Sequence, residues 1–129
     1  MKMVIDFPGG EKVDAHFENF TVATDQQGSA PTPFEIFLSS IGTCAGIYVL
    51  NFCKLRNLPT EGIRIVEQIH TGEKGVIEKI GLEIQVPPTF PKQYHSALIR
   101  SAELCKVKKT LEHPPSFEIV TREVEVEHA

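Results

Sequence analysis

The sequence predicts an α+β fold, with helices packed on antiparallel sheet in a single domain spanning residues 1–129. Three observations point there. Short segments of alternating polarity fill the first 25 residues and recur after Gly62. Between them lies an uncharged run, Ile36 to Cys53, flanked by helix start and stop signals. No repeat or shift of composition divides the chain, and 41% hydrophobic against 23% charged residues is too apolar for disorder.

The elements follow in order. "MVIDF" ends at the turn Pro8-Gly9-Gly10. "KVDAHF" alternates Val13, Ala15 and Phe17 with polar residues, and "FTVAT" follows Glu18-Asn19, which makes a three-stranded meander. "DQQGSAPTP" is a loop of turn formers. Thr32 is placed as an N-cap, Pro33 as the first helical residue, and Glu35 three residues on completes a capping box. Asn57 is placed at the C-cap, and Pro59 cannot continue the helix. The helix is about 24 residues long, roughly 36 Å at 1.5 Å per residue. Its 18 uncharged residues reach the lower edge of membrane-spanning length, but Ser39, Ser40, Gly42, Thr43, Gly46 and Asn51 dilute them. A central helix surrounded by other elements is therefore predicted, and no membrane span.

"GIRIVEQIHTG" and "GVIEKIGLEIQV" form a hairpin across Gly72-Glu73-Lys74-Gly75. "PPTFPKQYHSALIRSAELC" holds a second helix, with Pro91 near its start and Tyr94, Leu98, Ser101 and Cys105 on one face. "FEIVTREVEVE" reads as a last strand, bulged where its apolar phase shifts between Ile119 and Val124. The predicted order is βββ-α-ββ-α-β.

The formal net charge is -4, and basic residues are scattered apart from "KVKK" at Lys106 to Lys109, so no nucleic-acid footprint is expected. "MKMVIDFPGG" lacks the apolar core of a signal peptide. With three cysteines, that places the chain in a reducing, cytoplasmic compartment. An odd count leaves at least one thiol free.

The cysteines differ in setting. Cys44 and Cys53 are nine residues apart, which is about 180° around a helix, so they point to opposite sides. Cys44 lies among Gly42, Thr43, Ala45 and Gly46. Two interior glycines cost roughly 1 kcal/mol each relative to alanine. The expected return is close approach of a backbone or ligand on the Cys44 face. Cys53, beside Phe52, reads as packing. Cys105 is followed by Lys106, Lys108 and Lys109, whose charge favours thiolate, and a chain break there would set it at a helix start. A Cys44/Cys105 couple is plausible by position. No metal is expected: the cysteines lack C-x-x-C spacing, and histidines 16, 70, 95, 113 and 128 lack ligand spacing.

"SAPTPFEIFLSSIGTCAG" with "SAELCKVKKTLEHPPSFEI" resembles the OsmC/Ohr family of thiol-dependent peroxidases, over nearly the whole chain. The resemblance implies an OsmC-like intertwined homodimer with the cysteine-bearing helices at its centre and a site at the subunit interface. It implies that Cys44 is peroxidatic, attacking a peroxide, and that Cys105 resolves the sulfenic acid as a disulfide. An external dithiol reductant would then restore the thiols, and no cofactor is needed. The best-characterised branch has a glutamate ten residues before the first cysteine, paired with an N-terminal arginine. Here Phe34 holds that position, Glu35 is one residue off, and the first arginine is Arg56. Lys106 stands where proline is usual. This pattern resembles the OsmC-like branch. Phe34, Phe37, Tyr48 and Phe90 are candidates for an apolar pocket suited to organic hydroperoxides, or for ordinary core. Two readings follow: a peroxidase in oxidative-stress defence, or a non-catalytic dimeric module that binds a small ligand or senses oxidants.

Overall fold

The computed structural model of the chain describes residues 1–126. Strands β1 (Val4–Gly9), β2 (Lys12–His16) and β3 (Thr21–Asp25) form the expected antiparallel meander, in the order β1-β2-β3. Gly9 and Gly10, at φ +137° and +59°, make the first turn in backbone space closed to most side chains. Buried Asp25 then folds the following loop. It accepts hydrogen bonds from the Gln27 amide at 2.9 Å, from the Ser29 amide and from the Ser29 hydroxyl.

Helix α1 (Pro33–Leu55) begins as the sequence predicts. Thr32 Oγ1 accepts from the Glu35 amide at 3.2 Å, and Glu35 accepts from the Thr32 amide at 3.0 Å. It ends in a Schellman motif. The Leu58 amide donates to the Cys53 carbonyl at 2.9 Å, and the Asn57 amide to the Lys54 carbonyl at 3.2 Å. Asn57 takes the left-handed conformation at φ 54°. Leu58 packs against the apolar cluster below.

The hairpin β4 (Arg64–Thr71) and β5 (Ile77–Gln85) pairs Ile65 with Ile84 and Glu67 with Leu82. Its inner apolar residues, with Phe90 and Leu98, meet Val49, Phe52 and Cys53 of α1 in one core. Helix α2 (His95–Ala102) crosses α1 on the predicted face. Tyr94 meets the Phe52 ring edge-on at 5.9 Å, Leu98 is buried, and the Ser101 hydroxyl donates to the Tyr48 carbonyl at 3.1 Å.

Three expectations are corrected. The second predicted helix stops at Ala102, and a third, α3 (Lys106–Glu112), starts after Cys105. The break is local: the Leu104 and Cys105 amides bond back three residues, and Cys105 then turns to extended backbone at φ −47°, ψ 125°. The final strand is absent among the described residues. Phe117 (85%) and Ile119 (93%) stand exposed in irregular chain, because a strand needs an edge and no strand here takes this one; Glu127 lies outside the described residues. The order is thus βββ-α-ββ-α-α.

The third correction concerns the glycines. They face β4 and not the Cys44 side. A Cβ at Gly42 would overlap Glu67 Oε1, and one at Gly46 would sit 3.9 Å from Ile65 Cδ1. Two residues turn a helix about 200°, so Gly42 and Cys44 lie on nearly opposite faces. The close approach that Gly42 permits is that of strand β4.

Helix α1 is long and apolar enough to cross a bilayer by length and composition, with a mean hydropathy of 1.7. It is instead the core helix of this domain, burying Ile41, Ala45, Val49, Phe52 and Cys53.

Two measurements check this packing. Asn57→Gly should keep or raise stability, whereas Asn57→Ala should lose about 1 kcal/mol, since alanine resists the left-handed region; paired urea denaturation curves decide it. Burial raises the Glu67 carboxyl above its ordinary value, partly offset by the Gly42 amide, and Oε2 has no partner among the described residues. A carboxyl raised in the folded state loses stability as pH climbs from its unfolded value to its folded one. Glu67→Gln should therefore melt higher than wild type at pH 7, with the gap closing toward pH 4. A gap independent of pH would reject the assignment.

Candidate active site

Cys44, at the middle of α1, is half-buried and turned toward α3. Cys105 is 1% exposed and forms the N-cap residue of α3. The break in the chain thus delivers the second thiol to the first, and all three cysteines are free. Beside Cys44 lies an open, mostly apolar cavity of about 410 Å³, lined also by Phe37, Lys106, Val107, Thr110 and Leu111.

The two thiols are polarised in opposite senses. Burial pushes the Cys44 thiol up, but the Val107 amide, the Cys105 S–H, the Lys106 amide and the Lys106 charge together outweigh it, so its net shift is downward. For Cys105, burial and its hydrogen bond to Cys44 push the thiol up, beyond what the Lys108 and Val107 amides offset. The two neighbouring thiols are thus shifted apart, Cys44 toward thiolate and Cys105 toward the protonated form. Cys53 is fully buried in the core with its thiol raised by burial, and Arg56 offsets this only in part.

The structure separates the remaining candidates. Phe37 lines the Cys44 cavity, and exposed Phe34 stacks on it with ring centroids 5.7 Å apart. Phe90 lies in the main core, and Tyr48 is not part of the cavity wall. Thr32 and Glu35 hold the helix cap, and Glu35 does not reach the cavity. Arg56 stacks over Phe52 at 3.7 Å, near the other end of α1.

Sequence reasoning missed two groups. Glu67 was anonymous among the charges of an alternating strand. Asp6, Asp14 and His16 bring ligand-type atoms within 4.8 Å of one another, by the pairing of Asp6 with Asp14 and Val4 with His16. Within this group His16 Nε2 lies 2.9 Å from Asp6 Oδ1, a hydrogen bond from the ring N–H to the carboxylate that explains the contact by itself.

Comparison with known proteins agrees with this architecture. Residues 26–120 match the family described as OsmC-like protein. Several solved structures share the fold. One is a Psychrobacter arcticus protein provisionally named for osmotic stress and detoxification, with a TM-score of 0.71 at 14% identity, covering 85% of this chain and 87% of that one. Another is an organic hydroperoxide resistance protein of Legionella pneumophila, at 0.56 and 17% over 86% and 89%. A third is the organic hydroperoxide resistance protein OhrB of Bacillus subtilis, at 0.55 and 16% over 88% and 93%. No curated protein matches the sequence. The fold and the paired thiols together define a thiol protein of α+β architecture. The chain belongs to the OsmC-like family.

The thiol assignments have a direct check. A small neutral alkylating reagent at pH 7.5 should modify Cys44 first, with Cys53 and Cys105 labelled only after unfolding. The alkylation rate of Cys44 should rise with pH around a midpoint below the ordinary thiol value of about 8.5. Equal labelling of all three in the native protein would contradict the arrangement.

Proposed function

We propose that the protein is a thiol-dependent peroxidase that reduces organic hydroperoxides through a Cys44/Cys105 disulfide cycle. The observation that carries this reading is the pair of neighbouring thiols at the edge of an apolar cavity, with Cys44 shifted toward thiolate and Cys105 away from it. The Cys44 thiolate attacks the distal peroxide oxygen. The O–O bond breaks, and the departing alkoxide takes a proton and leaves as alcohol. Cys44 is then a sulfenic acid, oxidised by two electrons. Cys105 sulfur displaces the hydroxyl, water leaves, and a disulfide remains. A small dithiol returns the two electrons by thiol–disulfide exchange.

The largely apolar cavity wall favours a hydroperoxide with a hydrocarbon body over hydrogen peroxide. Phe37 and Leu111 would contact that body. The Legionella and Bacillus structures are named for organic hydroperoxide resistance, which is consistent with this class of substrate.

The working unit proposed is a homodimer. The β1–β2–β3 sheet packs chiefly against itself, with β1 exposed along its length and Phe7 and Phe20 at 80% and 73% exposure. The segment Phe117–Val126 is similarly bare, and Ile47 of α1 is 54% exposed. A second copy of the chain can cover all three surfaces at once, whereas a monomer leaves them in water. Light scattering at micromolar concentration should give twice the chain mass, and a monomer would reject this assembly.

The catalytic proposal is tested by peptide mapping. A slight excess of cumene hydroperoxide should produce an intramolecular Cys44–Cys105 disulfide and leave Cys53 reduced. Cys105→Ser should accumulate Cys44 sulfenic acid, and Cys44→Ser should abolish peroxide consumption in the presence of dithiothreitol. A Cys53 linkage, or three untouched thiols, would favour a non-catalytic binding module.

A further inference from the structure

The Cys44 cavity is almost wholly apolar, yet one of its walls carries a charge. Of its lining residues Phe37, Cys44, Val107, Thr110 and Leu111 are neutral or apolar, and Lys106 alone is a permanent cation. Among the described residues no carboxylate lines the cavity to neutralise it. The next lysine, Lys108, is taken up in an ion pair with Glu112 at 3.8 Å. The titratable groups that face Cys44 are Cys105, from the break between α2 and α3, and Lys106, from α3. On helix α1, Glu35 is held in the Thr32 cap, and Tyr48 is not part of the cavity wall.

We propose that Lys106, which lines this apolar cavity beside the thiol, adds to the reactivity of Cys44 through its side-chain charge. Deepening the peroxidase reading above, it assigns a role to a residue adjacent in sequence to the second thiol. The physical reason is the surrounding medium. A thiolate against an apolar wall is poorly hydrated, so a single nearby ammonium matters more there than on an open surface. The Lys106 and Val107 amides already donate to the sulfur, but main-chain donors are present whatever the side chain is. The ammonium is the part that sequence can change. Its attachment next to Cys105 also keeps the charge beside the sulfur pair throughout the cycle.

The charge hypothesis predicts a pattern across substitutions that a packing role would not give. Lys106 is exposed, so its replacement should not unfold the protein. The measurement is the rate of Cys44 alkylation by iodoacetamide against pH, read by peptide mapping in the full-length protein. Lys106→Met should raise the midpoint by about half to one pH unit, which is about a three- to tenfold slower reaction at pH 7. The deficit should vanish near pH 10, where thiolate formation is complete. Lys106→Gln should behave like Lys106→Met, and Lys106→Arg should restore the rate to within about twofold. Lys109→Met, which removes a lysine outside the cavity, should leave the profile in place. An unmoved midpoint in Lys106→Met, failure of Lys106→Arg to restore it, or an equal shift in Lys109→Met would overturn the proposal. Because iodoacetamide is not a peroxide, this result stands apart from whether the protein turns over hydroperoxides.

Discussion

One constraint organises this protein: helix α1 is apolar around most of its circumference and has to be covered on every side. Its own chain covers part of it. The β4–β5 hairpin lies against Gly42 and Gly46, α2 crosses above Val49 and Phe52, and α3 closes over Cys44. Each contact places something functional. The hairpin needs the glycines to come close, the α2 crossing carries the chain back to the middle of the helix, and the break after Ala102 drops Cys105 there. The thiol pair is a by-product of wrapping a helix.

The electrostatics of the pair come from the backbone as much as from side chains. The Val107 and Lys106 amides and the Cys105 thiol favour the Cys44 thiolate, and burial opposes them. The donors outweigh it because there are several of them, fixed in place by the start of α3, with a lysine added. Cys105 has amide donors too, but burial first and the neighbouring Cys44 second push it the other way. Different settings give two chemically identical side chains different characters.

What was legible in the sequence had local causes. Thr32, Pro33 and Glu35 mark the start of α1 because a capping box is written within four residues, and Asn57 marks its end because few residues tolerate a positive φ. The meander and the hairpin were legible from alternation and turn residues. A Cys44/Cys105 couple was suggested by two motifs in the right order and by family resemblance, and the structure sets the two thiols near each other. What failed was non-local. The glycines were assigned to Cys44 because Glu67, 25 positions downstream of Gly42, gives no sign in sequence of reaching back. The last strand has the right alternation but depends on an edge that nothing within this chain provides. Of the four aromatic candidates, only Phe37 faces the cavity, since aromatic identity says nothing of which side of the core a ring enters.

The half-turn between Cys44 and Cys53 has a consequence for folding fidelity. Thiol–disulfide exchange requires one sulfur to approach another in line, and a disulfide holds its Cα atoms within about 7 Å. A helix with its side chains is about 10–12 Å thick. With Cys44 on one side of α1 and Cys53 sealed in the core on the other, the helix acts as an insulating partition between a half-buried thiol and a fully buried one. A chain with three sulfurs has three possible internal pairings. The rigid rod between two of them removes one outright, and the core that encloses Cys53 removes another. Within one native chain, solid geometry thus leaves Cys44 and Cys105 as the two sulfurs able to meet.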